Sequence, residues 1–73
     1  MSRIRWQEHI TVDPDVHHGE PCIKGTRVPV VTIIGSMADG MTHVEIIEQY
    51  PQLDDDDIRA VLAYAADIVR DVR

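Results

Sequence analysis

Residues 42–57 read THVEIIEQYPQLDDDD, and this stretch decides the fold. Thr42 and Glu45 have the spacing of a capping box, in which each side chain accepts an amide hydrogen at a helix start. The proline at position 51 ends that helix after about two turns. The acidic run 54–57 then opens another helix, because aspartate is favoured at helix N-termini. The stretch therefore predicts two helices joined by a tight turn, in the order of a helix-turn-helix pair.

The residues before this pair predict one more helix and two short strands. Apolar side chains recur at helical spacing after Pro29, and Gly40 is a natural stop, so this helix spans roughly Pro29–Asp39. Residues 9–14 read as a short strand ended by an Asp-Pro turn, residues 22–24 are a second extended piece, and the two can pair. We expect a mainly α fold: two short N-terminal β-strands followed by a three-helix helix-turn-helix domain.

Length and composition predict one domain, 1–73, with a loose arm at 1–9, strands and loop at 10–28, and helices at 29–73. The 44% hydrophobic and 27% charged content excludes collagen-like and fully disordered chains. No apolar run is long enough to span a membrane, and the first residues do not resemble a secretory signal. One cysteine cannot form an internal disulfide. We expect a cytoplasmic protein, and a homodimer because the core is thin.

Charge is divided unevenly along the chain. Residues 1–30 have as many cations as carboxylates, whereas residues 31–73 hold three arginines against nine acids and carry the whole net charge of −6. Nucleic-acid binders usually present a basic patch. Any phosphate contact must therefore come from the first half of the chain.

The third helix has two adjacent apolar stripes, which are more than one neighbouring helix needs. One contains Ile58, Leu62, Ala65, Val69 and Val72. The other supplies the predicted dimer or partner contact, and it consists of Val61, Tyr64, Ile68 and Val72.

The acidic start of the third helix argues against a role of this helix in recognising DNA bases. In a helix-turn-helix protein this helix start lies in the major groove, where residues 54–57 would face a polyanion. The alternatives are a solvated start matched to the helix dipole, a partner-binding acidic edge, and a magnesium site. The last is disfavoured because adjacent helical side chains point in different directions.

Four cations are the candidate nucleic-acid contacts: Arg3, Arg5, Lys24 and Arg27. The first two lie on an N-terminal segment that either enters a minor groove or is an ordinary solvated terminus. The other two flank a Gly-Thr turn just before a helix start, which could hold a phosphate. Arg27 has a structural alternative, in which it ties the turn to Asp13 or to a helix-end carbonyl.

No catalytic or metal motif is complete. His17, His18 and Cys22 resemble a metal cluster only loosely, since zinc sites normally use four ligands in two spaced pairs. A Cys-His catalytic pair lacks an orienting residue. We therefore expect no enzyme activity, no metal and no cofactor.

An ordered set of short motifs makes the chain resemble a known family, called domain of unknown function 433. Two departures stand out: Glu20 replaces a common lysine, which weakens a phosphate site, and His43-Val44 replaces a more polar pair. The resemblance runs from about Ile10 to Ala65, through Asp13-Pro14, Gly19, Pro21, Ile23, Gly25-Thr26-Arg27, Gly40, Thr42, Glu45-Ile46, Tyr50-Pro51, Leu53, Asp57-Ile58 and Leu62-Ala63-Tyr64-Ala65.

The resemblance implies a prokaryotic, homeodomain-like or winged-helix-like protein. It implies an antitoxin that binds and silences a PIN-like ribonuclease toxin encoded by a neighbouring gene, and that could also bind its own operator DNA. Two alternatives follow from the residues. One is a protein–protein adaptor without DNA binding, which the four aspartates favour. The other is a metal-dependent enzyme or sensor that uses His17, His18 and Cys22.

Overall fold

The computed structural model describes residues 4–13, 15 and 19–71. The mainly α fold is confirmed, with a two-stranded sheet at the N-terminus followed by three helices. The elements are a 3₁₀ helix at Trp6–Glu8, strand β1 at Ile10–Thr11, strand β2 at Cys22–Ile23, and helices α1 at Val30–Ala38, α2 at His43–Gln49 and α3 at Asp55–Asp71. Among the described residues, no helix has both the length and the apolar composition to cross a membrane.

The two strands pair antiparallel, with Ile10 opposite Ile23. A tight turn follows β2, and Thr26 closes it: its hydroxyl donates to the Ile23 carbonyl at 2.8 Å and accepts from the Val28 amide at 3.1 Å. Gly25 lies at a φ of +79°, which favours glycine at this position. The turn directs the chain into α1.

Local capping fixes the α1–α2 connection. Gly40 has a φ of +91°, and the amides of Gly40 and Met41 bond to the carbonyls of Met37 and Ser36 at 3.0 and 3.1 Å. This is the bond pattern of a Schellman motif. The capping box at Thr42 and Glu45 then starts α2. Helix α1 therefore ends one residue before the predicted boundary.

The core joins one isoleucine from each helix: Ile33, Ile46 and Ile58 are fully buried. Ile23 of β2 and Val61 of α3 complete the set of large side chains with almost no exposed surface. The remaining buried residues of this core cluster are Ile10, Val28, Val30, Leu53 and Ala60. A single aliphatic core therefore connects the strands and all three helices.

The predicted loose arm at 1–9 is wrong over residues 4–9, while residues 1–3 lie outside the described residues. Trp6 packs edge-on against Tyr64, with ring centroids 4.8 Å apart, and its indole N–H donates to the Asp67 carboxylate at 2.8 Å. Ile4 also packs against the core. A tryptophan whose ring is half-buried and whose N–H finds a partner holds a terminal segment in place.

Candidate functional site

The start of α3 is built by two aspartates that cap each other. The Asp57 amide donates to Asp54 Oδ1 at 2.9 Å, and the Asp54 amide donates to Asp57 Oδ2 at 3.1 Å. This reciprocal arrangement is a capping box with aspartate in the place of the usual glutamate. Two carboxylates of the acidic run therefore satisfy free amides of the helix.

Two histidines tie the same helix start to the rest of the molecule. His9 Nδ1 lies 3.0 Å from Asp57 Oδ1, and His43 Nδ1 lies 2.7 Å from Asp55 Oδ1. Because a carboxylate accepts, each ring nitrogen must donate its hydrogen. The first contact joins α3 to the segment before β1, and the second joins it to α2.

Each aspartate of the run thus has a partner within its own chain, since Asp56 Oδ1 lies 3.5 Å from Arg59 Nη1. Asp54, Asp55 and Asp56 are nevertheless exposed. The structure supports the interpretation of the acidic run 54–57 as a helix start whose charges match the helix dipole. It also leaves an exposed anionic surface where a helix-turn-helix protein would approach phosphates.

The predicted basic residues fall into two groups. Arg5 precedes the 3₁₀ helix and lies 3.4 Å from the Glu8 carboxylate. Lys24 and Arg27 are exposed on the turn after β2, and within the described chain neither side chain forms an ion pair. The predicted alternative, a tie from Arg27 to Asp13, is therefore not formed. Arg3 lies outside the described residues.

The predicted interface on α3 needs correction. Val61 is fully buried in the chain's own core, and Tyr64 is covered by Trp6. Ile68 is exposed, as the prediction requires, and Val72 lies outside the described residues. Val61 therefore faces the chain's own core and is not available to a partner, whereas Tyr64 is half-buried.

Part of the other apolar stripe faces outward instead. Leu62 is 46% exposed and Val69 is 71% exposed. An open groove of about 320 Å³ lies beside Leu62, lined by Ile4, Arg59, Leu62, Ala63 and Ala66. The helical spacing of both stripes was visible in the sequence, but only the packing shows which one is outside.

Cys22 is buried, and its thiol lies 3.5 Å from the Glu20 carbonyl. Burial raises the pKa of the Cys22 thiol above its usual value, and the Glu20 carboxylate raises it further. His17 and His18 lie outside the described residues. In the part of the chain that the structure describes, no three His, Cys, Asp or Glu side chains gather to hold a metal ion.

The geometry defines a small α-helical protein with an acidic helix-turn-helix pair, and sequence comparison names its family. The chain belongs to the family described as "Protein of unknown function (DUF433)", whose model matches residues 10–65. This confirms the resemblance seen in the sequence.

Two relatives support this assignment. The uncharacterized protein y4eO of Sinorhizobium fredii (strain NBRC 101917 / NGR234) is 39% identical over 59 residues, which are 81% of this chain and 27% of that protein. The crystal structure of a DUF433 member protein from Anabaena variabilis matches with a TM-score of 0.78 and 31% identity. That match covers 84% of this chain and 60% of the other. The chain therefore spans only part of the length of both relatives.

Proposed function

We propose that this chain is a protein-binding regulator, the antitoxin of a prokaryotic toxin–antitoxin pair, and that it has no enzyme activity of its own. The observation that carries the proposal is the exposed acidic start of α3. Asp54, Asp55 and Asp56 lie on the part of the fold that helix-turn-helix proteins bring to a ligand. In this chain that surface is anionic.

Charge complementarity selects the partner. A duplex carries one charge per about 1.7 Å, so an acidic helix start is repelled by it. A ribonuclease holds RNA in a basic cleft, and an acidic surface that enters this cleft is attracted to it and excludes the substrate. The proposed partner is therefore a PIN-like ribonuclease in the cytoplasm of the same cell, as the family resemblance implies.

The first experiment measures RNA cleavage by the product of the neighbouring gene, with and without this chain. We expect inhibition at equimolar protein. A doubly substituted variant, Asp55→Asn with Asp56→Asn, should inhibit less because it loses two exposed charges from the contact surface.

A matched control changes the net charge equally at other places. Asp39→Asn with Asp71→Asn removes two exposed carboxylates at the C-terminal ends of α1 and α3. We expect this variant to inhibit like the unmodified chain. Equal inhibition by both double variants, or none by the unmodified chain, contradicts the proposal.

Operator DNA is a second candidate ligand, favoured by two cations on the turn after β2 that form no ion pair with any other described residue. The side chains of Lys24 and Arg27 are both exposed on that turn. Binding through phosphates weakens with salt at a log–log slope of about −0.9 per contact. Replacing Lys24 and Arg27 by Gln should make that slope shallower by about 2. If the chain binds no operator DNA at about 50 mM salt, the alternative hypothesis of a protein–protein adaptor that does not bind DNA remains.

A further inference from the structure

The outer face of α3 presents an apolar surface that no other described element covers. Leu62 and Val69 are 46% and 71% exposed, and the exposed Ala66 lies between them on the same side of the helix. Single exposed apolar residues are ordinary, but residues in one row mark a contact surface.

The groove beside Leu62 has the shape of a packing site for another helix. Its helical wall is made by Arg59, Leu62, Ala63 and Ala66. These positions, i, i+3, i+4 and i+7, form the four-residue hole that receives one side chain of a facing helix. The two alanines leave room in the floor of the hole, and Ile4 closes one side of it.

The charges of α3 indicate which helix fits. Its first turn is acidic and its last turn holds Arg70. Along the helix, the point halfway between Asp55 and Arg70 falls between Leu62 and Ala63. A second α3 running antiparallel therefore brings its Arg70 to Asp55 when its Leu62 lies over Ala63 and Ala66. The two helix dipoles are then also opposed, which is favourable.

We propose that two copies of this chain pair through α3, antiparallel about a twofold axis, with Leu62 of each copy seated in the hole of the other. Such an interface is isologous, because the same surface serves both copies. It replaces the predicted contact through Val61, which is buried, and Tyr64, which is half-buried. The proposal does not depend on the ribonuclease or on DNA.

Sedimentation equilibrium of the full chain tests the pairing. We expect a mass of twice 8.3 kDa for the unmodified chain and a single 8.3 kDa chain for Leu62→Glu. The circular dichroism of Leu62→Glu should stay helical, because the side chain is exposed. Val44→Glu is the matched control: Val44 is 68% exposed on α2, and this variant should remain dimeric. A monomeric unmodified chain, or a dimeric Leu62→Glu, overturns the proposal.

Oxidative cross-linking locates the axis without relying on a disruptive variant. A cysteine at position 62 lies next to the twofold axis, within the short reach of a disulfide. Leu62→Cys should form a covalent dimer under mild oxidation, whereas Val44→Cys should not. The native Cys22 is buried in each copy and should stay unreacted. Equal cross-linking of both variants, or of neither, counts against the α3 interface.

Charge reversal tests the direction of the pairing. Arg70→Glu places a carboxylate near Asp55 of the other copy, at both ends of the interface. We expect the dissociation constant of the dimer to rise about fivefold at low salt, since exposed ion pairs contribute modestly. An unchanged constant overturns the antiparallel arrangement.

Discussion

Trp6 shows how one side chain positions a terminal segment. Its indole donates to Asp67 and its ring meets Tyr64 edge-on. We expect Trp6→Ala to lower the free energy of unfolding by about 2 kcal/mol, below the value for a fully buried tryptophan because the ring is half-buried. Trp6→Phe should cost about 1 kcal/mol through the lost hydrogen bond.

Urea titration followed by circular dichroism at 222 nm measures both values. The neighbouring Arg5→Ala is the control, since its ion pair with Glu8 is exposed and should contribute less than about 0.5 kcal/mol. A Trp6→Ala variant as stable as Arg5→Ala would mean that the segment contributes nothing to stability.

Cys22 should be a slow thiol. Burial, followed by the Glu20 carboxylate, raises the thiol pKa, and only the thiolate reacts with a disulfide reagent. We expect the native chain to react with an aromatic disulfide at least about tenfold more slowly than the chain unfolded in guanidinium, because reaction requires local opening. Absorbance of the released thiolate at neutral pH gives both rates, and equal rates would contradict the burial.

At the scale of elements, α2 depends on its capping box. The Thr42 hydroxyl accepts the Glu45 amide hydrogen at 3.1 Å, and the Glu45 carboxylate accepts the Thr42 amide hydrogen at 2.9 Å. We expect Thr42→Ala to cost about 1 kcal/mol of the free energy of unfolding. Thr42→Ser keeps the hydroxyl and should remain close to the original. Thermal denaturation compares the two, and equal losses would mean that the hydroxyl is not the stabilising group.

The same box predicts a pH dependence. The Thr42 amide, and then its hydroxyl, hold the pKa of Glu45 below its usual value. A carboxyl whose pKa is lower in the folded state stabilises the fold above its unfolded pKa, and this contribution is lost as pH falls through the folded value. The stability difference between the native chain and Glu45→Gln should therefore shrink on acidification. Urea titrations from neutral to acidic pH measure it, and a constant difference would contradict the shift.

Local signals predicted these elements well, because capping residues act on the nearest turn of backbone. Thr42, Glu45 and Gly40 mark their helix ends in the sequence as they do in the structure. The outward stripe of α3 was not predictable, since both stripes are apolar and at helical spacing. Its orientation depends on Trp6, which is distant in sequence and covers Tyr64.

At the scale of the molecule, stability rests on one small core with one isoleucine per helix. Ile46 is fully buried at the centre of α2. We expect Ile46→Ala to cost about 2 to 5 kcal/mol, which approaches the whole stability of a small domain. Ile46→Val should cost about 0.5 to 1.5 kcal/mol.

The control lies on the same helix. Val44 is 68% exposed, so Val44→Ala should change stability by less than about 0.5 kcal/mol. Urea titration of the three variants measures the series. Similar losses for Ile46→Ala and Val44→Ala would mean that helix propensity, rather than core packing, sets the stability of α2.

The docking of Trp6 also provides an optical reporter. The chain contains one tryptophan, so its emission arises from a single place, the contact between the N-terminal segment and α3. If emission and far-ultraviolet ellipticity change together on heating, the segment and the helices melt as one unit. If emission changes first, the segment leaves α3 while the three-helix body is still folded, and a labile terminus becomes a distinct thermodynamic step.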